Sequence, residues 1–186
     1  MYFTSKGKPW TADTARLAVE RARALSISNI VVASNTGFSA EAILMQLKPE
    51  DAISVSVVTH HIGFDNPGED QMPAAMRERL AKAGCKVLTT THLFANIERA
   101  ITSKFGGLYP GGIVSATLRC FGQGTKVCFE IIGMAVDAGM VPPGQEVVVV
   151  AGSGGGADTA LVMRPAHAKS FFDTQVLEVI CKPRDF

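Results

Sequence analysis

Short, almost continuously apolar runs alternate with helical patterns over the first half of the chain. A strand that is apolar on both faces must be covered on both faces, and parallel strands need a crossover, usually a helix, between them. The alternation therefore predicts a three-layer α/β/α fold with a mostly parallel sheet. The predicted elements here are helices at 11–25, 39–47 and 72–83 and strands at 29–33, 53–58 and 85–90.

The second half of the chain departs from this alternation. Three helical patterns follow one another with no strand pattern between them, and Pro142-Pro143-Gly144 then turns the chain into its strongest strand pattern. A glycine-rich turn separates that strand from the next, which predicts a hairpin and therefore late antiparallel strands. No internal repeat or linker interrupts the sequence, so we expect one domain over 1–186. The later predicted elements are helices at 94–104, 113–120 and 127–138 and strands at 146–151, 160–163 and 175–181.

Composition argues against several classes of protein. The formal charge is only +1 and the 18 basic residues are dispersed, so we expect no nucleic acid partner. The apolar runs are too short to span a bilayer and the first residues lack the apolar core of a signal peptide, which predicts a cytoplasmic protein without a membrane partner. The cysteines form no C-x-x-C pair, so we expect reduced, buried thiols rather than a zinc or redox motif. They are Cys85, Cys120, Cys128 and Cys181.

The first predicted strand leads into the next helix through Ser34-Asn35-Thr36-Gly37-Phe38-Ser39. The hydroxyl and amide groups of this segment, with the unpaired N–H groups of a helix start, suit an anion, and the helix dipole favours negative charge there. Gly37 allows the backbone to approach a ligand closely. The segment therefore predicts a phosphate-binding loop, although an ordinary strand-to-helix turn with Ser39 as N-cap explains the same residues.

Polar residues and glycines also follow the other strand patterns at their carboxyl ends. In an open α/β sheet, ligands bind outside these ends, near the point where the strand order reverses. Four strand ends that carry hydroxyls, imidazoles and glycines therefore predict a pocket for a small ligand. Its candidate residues beyond the 34–39 loop are Thr59, His60, His61, Thr91, His92, Gly152, Ser153, Gly154, Gly155, Asp158 and Thr159.

The histidines do not predict a metal centre. His60 and His61 are adjacent in a strand pattern and would point to opposite faces, so only one of them is expected beside His92. Two ligands are too few for a zinc site, and acidic residues in the next loop are better explained as a solvated loop, so we expect no metal. The imidazoles can serve as acid or base, or hydrogen-bond a ligand.

Familiar catalytic fingerprints are missing from the sequence. The glycine loop at 152–156 follows a late strand and lacks the helix and acidic residue of a dinucleotide site, which disfavours a nicotinamide-dependent dehydrogenase. No Walker lysine or G-x-S-x-G elbow points to an NTPase or a hydrolase. Whether the chain is an enzyme, and which residues would be catalytic, stays open at this point.

The segment 12–39, which ends in the SNTGFSA loop, resembles the C-terminal α/β domain of pyruvate kinase. In that domain a T-x-S-G-x-S-A type loop holds a phosphate of the sugar-bisphosphate effector. The later stretch 142–163 resembles the closing strand, glycine-rich loop and following strand of the same domain. The resemblance implies the fold of that domain and a phosphate at the first loop. The matching positions are Ser34, Thr36, Gly37, Ser39, Ala40, Gly144, Val147, Val148, Gly152 and Thr159.

The chain also departs from that pattern. It carries no pattern for the catalytic barrel of a pyruvate kinase, so phosphoryl transfer is not implied. Phe38 stands where a basic residue is frequent and Gln145 where an Asp is usual, which argues against a sugar bisphosphate. The insertion at 59–73 is more similar to free-standing archaeal and bacterial proteins related to this domain, which are associated with flavin mononucleotide (FMN). That resemblance implies FMN, with its phosphate on the 34–39 loop and its ring on aromatic surface such as Phe38 or Trp10.

Two hypotheses of function follow. The first is a protein that binds a phosphorylated small molecule, with FMN as the best single candidate. The second is a non-catalytic regulatory or structural module that senses a sugar phosphate or a nucleotide. The helical patterns at 113–118 and 128–136 carry more apolar surface than one covering face needs, so we also expect a homo-oligomer.

Overall fold

The computed structural model describes residues 1–95 and 97–186, which form a seven-stranded sheet and six α-helices. Two short 3-10 helices, Lys8–Trp10 and Ala168–Asp173, add to the regular structure of this part of the chain. The α-helices are α1 (Thr11–Ala24), α2 (Phe38–Leu44), α3 (Ala74–Lys82), α4 (Ile97–Phe105), α5 (Pro110–Arg119) and α6 (Gln123–Asp137). The strands are β1 (Tyr2–Phe3), β2 (Asn29–Ala33), β3 (Ser54–Val58), β4 (Lys86–Leu88), β5 (Val147–Ala151), β6 (Thr159–Arg164) and β7 (Gln175–Pro183).

The sheet has the strand order β1-β7-β6-β5-β2-β3-β4. β2 pairs in parallel with β3 and β5, so that Val31 lies between Ser56 and Val149. β5 and β6 form the expected antiparallel hairpin, and β7 pairs antiparallel with β6. The mostly parallel sheet with late antiparallel strands is therefore confirmed.

Hydrophobic side chains fill one core on each face of the sheet. Ile30 and Val32 of β2 belong to the core formed with α1, α2 and α3, where Ile43 is fully buried. Val31 belongs to the opposite core, with α6 and its buried residue Ile132. Alternate residues of one strand thus meet helices on opposite faces, which confirms the three-layer α/β/α fold.

Several element boundaries differ from the sequence-based expectation. α6 begins at Gln123 rather than 127, because Gly122, with φ +117°, lets the chain turn directly into the helix. α2 ends at Leu44 rather than 47. β1 was not predicted, because a two-residue strand has no periodicity of its own. It exists because Tyr2–Phe3 pairs in parallel with Lys182–Pro183 at the far end of the chain.

The cysteines and the lengths of the helices bear on two expectations drawn from composition. Cys85, Cys128 and Cys181 are buried free thiols, as predicted. Cys120 is exposed, so the expectation of a buried thiol was wrong at this position; the residue follows α5, a helix that buries little of its surface. No helix in residues 1–95 and 97–186 combines the length and the apolarity needed to cross a membrane.

Candidate functional site

A cleft of about 470 Å³ opens at the carboxyl ends of β2, β3 and β5. Parallel strands present these ends at the same edge of a sheet, so the loops that follow them meet there. Residues of α4, α5 and α6 form the other wall. The cleft lies where the sequence predicted a small-ligand pocket. Of the predicted site residues, those that line it are Ser34, Asn35, Thr36, Phe38, Ser39, Thr59, His60, His92, Gly152, Gly154 and Gly155.

The remaining predicted site residues do not line the cleft. Thr91 is exposed to solvent. Gly37 is buried and does not face the cleft, although its neighbours in the 34–39 loop do. Trp10 stacks on Phe3, with ring centroids 4.6 Å apart, so the implied contact between Trp10 and a flavin ring has no support in the structure. The full set of predicted site residues outside the lining is Gly37, His61, Thr91, Ser153, Asp158 and Thr159.

The 34–39 loop contains several backbone donors without a partner in residues 1–95 and 97–186. The N–H groups of residues 36–39 donate to no acceptor among the described residues. The next N–H, that of Ala40, donates to the Ser34 hydroxyl at 3.3 Å. The Thr36 hydroxyl is exposed at the cleft and makes no hydrogen bond within the described part of the chain. The loop therefore offers several unpaired donors to an anion.

Gly37 decides how the loop enters α2. It is the N-cap of the helix and has φ +93°, a conformation that favours glycine, so the alternative in which Ser39 caps the helix is wrong. A Cβ on Gly37 would lie 2.4 Å from the Met76 Cγ of α3. α2 contains only seven residues, so the donors of the loop, rather than a long helix dipole, define the anion-binding character here.

Hydrogen bonds fix the ring of His60 in the cleft wall. Its Nδ1 pairs with Gln71 Oε1 at 2.8 Å, and its Nε2 lies 3.2 Å from Asn35 Nδ2. Because an amide oxygen only accepts, this network places the His60 proton on Nδ1 and leaves Nε2 to accept from Asn35. Gln71 in turn donates to Asp65. Burial lowers the pKa of His60, which favours the neutral ring that this arrangement requires.

The three neighbouring histidines cluster at one point. The ring centroid of His92 lies 5.3 Å from that of His60 and 5.1 Å from that of His61. The expectation that only one of the adjacent histidines could lie beside His92 was therefore wrong. β3 ends at Val58, before both residues, so the alternation of a strand does not apply to them. Phe64 stacks on His60 with centroids 3.7 Å apart and extends the aromatic surface.

His92 contributes a buried polar group to the cleft. Its side chain is only 9% exposed, and no described residue forms a hydrogen bond with its ring. Burial lowers the pKa of His92 to about 4, against the opposing effect of the Glu130 carboxylate, so the ring is neutral near pH 7. In residues 1–95 and 97–186, no group of three or more His, Cys, Asp or Glu side chains is arranged to hold a metal ion.

A buried ion pair between Lys126 and Glu130 lies on the α6 wall of the cleft. The two side chains are 8% and 7% exposed, respectively. Glu130 also accepts a hydrogen bond from the Phe94 N–H at 3.2 Å. Neither residue was among the predicted site residues, although a Lys and a Glu four positions apart at an apolar helix are a recognisable signal. Arg99 and Arg119, which line the same wall, were not predicted either.

Asp158 holds the glycine-rich loop from behind. Its carboxylate is fully buried and accepts hydrogen bonds from the Gly7 N–H at 2.7 Å and the Ser153 N–H at 3.1 Å. The Thr159 hydroxyl donates to the same carboxylate at 2.7 Å. On the front of the loop, Gly154-Gly155 has positive φ and open space where a Cβ would be. Asp158 and Thr159 were predicted to contact a ligand. In the structure they do not line the cleft, and they support the glycine-rich loop instead.

The family described as pyruvate kinase, alpha/beta domain, matches residues 12–163. The chain belongs to this family. Its SNTGFS loop and glycine-rich loop both lie within the matched region. The pyruvate kinase resemblance drawn from the sequence is thereby confirmed at the level of the domain.

Solved pyruvate kinase structures from Cryptosporidium parvum are also similar to the chain. One has 15% identity and a TM-score of 0.38, with 75% of this chain and 20% of that chain covered. A second has 15% identity and a TM-score of 0.39, with 76% and 20% covered. A third, in complex with ADP, has 16% identity and a TM-score of 0.41, with 82% and 22% covered. The chain thus spans about a fifth of the length of these proteins.

Proposed function

We propose that this chain binds a phosphorylated small molecule in the cleft, and that FMN is the ligand. The observation that carries the proposal is the meeting of two chemically different halves in one cleft. One half consists of the 34–39 loop and the glycine-rich loop, and the other consists of aromatic and aliphatic side chains. A phosphate monoester joined to a flat ring has the same two halves.

The two loops form the half that suits a phosphate. Residues 36–39 offer N–H groups without described acceptors, and Thr36 adds a hydroxyl. Gly154-Gly155 faces the same cleft without side chains, so a ligand can approach its backbone closely. Hydrogen bonds to a charged acceptor are shorter and stronger than those to a neutral one, so this half favours an anionic group.

The opposite half suits a flat, partly apolar ring. Phe64 stacked on His60 provides an aromatic face. Val127, Ile131 and Met134 of α6 add an aliphatic surface next to it. The cleft volume of about 470 Å³ lies within the range of roughly 300–1,000 Å³ that is usual for ligand pockets.

FMN fits this donor set. The residues of the loops would hold its phosphate, and the side chains around Phe64 would hold its ring. Bound flavin supplies electron-transfer chemistry. The neutral rings of His60 and His92 and the Lys126–Glu130 pair provide hydrogen-bonding groups of both kinds beside the ring.

The test combines a spectrum with a titration. The visible absorbance of freshly purified protein should show a flavin band, and stripped protein should bind FMN more tightly than riboflavin, which has the same ring but no phosphate. Fructose 1,6-bisphosphate serves as the comparison ligand for the regulatory alternative. Binding of the sugar bisphosphate without FMN would replace our proposal by that alternative. Binding of neither compound would refute both FMN and the sugar bisphosphate as ligands of the cleft.

A further inference from the structure

We propose that Lys8 completes the phosphate site of the cleft, as a cation delivered from outside the family domain. The inference rests on the proposed function, since it names a further residue of the same site. Lys8 precedes residue 12, where the family match begins, so it is not part of the matched domain. Its role follows from where the N-terminal segment lies in the fold.

Lys8 spans the two loops that we assign to the phosphate. Its Nζ lies 4.7 Å from the ring centroid of Phe38, which belongs to the 34–39 loop and lines the cleft. Its backbone lies against the other loop, because a Cβ on Gly156 would be 2.7 Å from the Lys8 Cα. One residue therefore lies against both loops, beside the residues that line the cleft.

The position of Lys8 is fixed by its neighbours along the chain. The Gly7 N–H donates to Asp158 at 2.7 Å, one residue before Lys8. Thr11 donates from its hydroxyl to the Lys8 carbonyl at 2.8 Å, and the same hydroxyl accepts from the Ala157 N–H at 3.0 Å. The segment is thus tied to the glycine-rich loop on both sides of Lys8, which fixes the backbone of Lys8 against that loop.

The charge of Lys8 is available to a ligand. The side chain is exposed and, among the described residues, forms no ion pair. Arg99, Arg119 and Lys126 lie on the α6 side of the cleft, and Lys126 is already neutralised by Glu130. Among the cations near the cleft, Lys8 contacts Phe38 of the 34–39 loop, whose N–H donors would hold the dianion of a phosphate monoester.

The test measures how strongly the protein distinguishes FMN from riboflavin. Lys8→Gln keeps most of the side-chain length and removes the charge, so FMN affinity should fall by roughly threefold to tenfold while riboflavin affinity stays unchanged. The weakening of FMN binding by added salt should also become less steep. Lys8→Arg should restore FMN binding. Lys6→Gln is the matched control, because Lys6 is exposed on the same segment and forms no described hydrogen bond or ion pair.

The outcomes separate the two proposals. A loss of FMN affinity in Lys8→Gln alone, with rescue by arginine, supports the role of Lys8. Equal FMN affinity in Lys8→Gln and the unmodified protein, together with a loss in Thr36→Ala, overturns the role of Lys8 and leaves the proposed function intact. An unmodified protein that does not prefer FMN to riboflavin overturns both.

Discussion

The Asp158 carboxylate accepts a hydrogen bond from the Gly7 N–H at 2.7 Å, across 151 positions of sequence. This contact joins the segment before the family domain to the glycine-rich loop at the cleft. Asp158 is fully buried, and the structure describes no ion pair for it, so its charge is satisfied by N–H and hydroxyl donors. The shape of the loop and the path of the N-terminal segment are therefore coupled through one side chain.

The first prediction concerns this coupling. Asp158→Ala should lower the free energy of unfolding by about 2–4 kcal/mol, because the buried Gly7 N–H, the part-buried Ser153 N–H and the Thr159 hydroxyl lose their acceptor. Urea denaturation followed by circular dichroism measures the change. Asp185→Ala is the control, since Asp185 is exposed and should change stability little. Equal stability of Asp158→Ala and the unmodified protein would contradict the structural role.

The second prediction concerns the 34–39 loop. Thr36→Ala should weaken FMN binding by roughly tenfold, because a hydroxyl donor to a charged group is lost. Its melting temperature should stay unchanged, since the Thr36 hydroxyl makes no hydrogen bond within the described residues. Calorimetric titration checks the affinity, with Thr4→Ala as a control at another exposed threonine. Equal affinity for FMN in the unmodified protein, Thr36→Ala and Thr4→Ala would show that the Thr36 hydroxyl does not bind the phosphate.

A backbone variant of the same loop should behave differently. Gly37→Val should reduce both affinity and stability, because φ +93° is strained for valine and its Cβ would lie 2.4 Å from Met76. The contrast with Thr36→Ala separates loss of a donor from loss of the loop conformation. Normal stability in Gly37→Val would show that Met76 of α3 moves aside and leaves room for the added side chain.

The third prediction concerns the buried ion pair. Glu130→Gln leaves the Lys126 ammonium buried without a counter-charge and should cost about 3–5 kcal/mol of stability. Glu20→Gln is the matched control, because Arg16–Glu20 is also an i,i+4 helix pair but is exposed, and its loss should change stability little. Urea denaturation of both variants makes the comparison. Similar losses of stability in the two variants would mean that the buried ion pair stabilises the fold no more than the exposed one.

The fourth prediction is a dependence of stability on pH. The pKa of His92 is about 4 in the folded protein, against about 6.5 for an ordinary histidine, so the unfolded chain binds the proton more readily between these values. Stability that is present above pH 6.5 should therefore be lost as the pH falls towards 4. Denaturation at pH 7 and pH 5 should show a smaller loss in His92→Gln. An unchanged slope in His92→Gln would contradict the assignment.

The fifth prediction is self-association. The segment 128–136, from which we partly inferred it, is covered by the sheet, since six of its apolar side chains are buried. Exposed apolar side chains on and after α4 offer another surface, since Ile97, Phe105 and Leu108 are 73%, 72% and 87% exposed. Light scattering at micromolar concentration should give a mass above the 19.7 kDa of one chain. Phe105→Ser with Leu108→Ser should lower that mass, and a monomeric unmodified protein would contradict the prediction.

Much of the cleft was predictable because its polar residues come directly after the strands in the sequence. Ser34, Thr36 and His92 come shortly after apolar runs, and parallel strands bring their carboxyl ends together. Lys126 and Glu130 were missed because they lie next to and within the apolar helix pattern at 127–138, part of which we connected with self-association rather than with the site. Their access to the cleft depends on how α6 is rotated against the sheet, which local periodicity does not specify.

Local patterns alone determined the layers of this protein and the position of its 34–39 loop. Apolar runs of strand length between helical patterns admit few arrangements other than a covered parallel sheet. The tertiary structure alone decided that Asp158 supports a loop, that His60, His61 and His92 cluster, and that Lys8 reaches Phe38. The physical reason is that hydrogen bonds and ion contacts join residues far apart in sequence and depend on distances that packing sets, whereas hydrophobic periodicity is a property of neighbours.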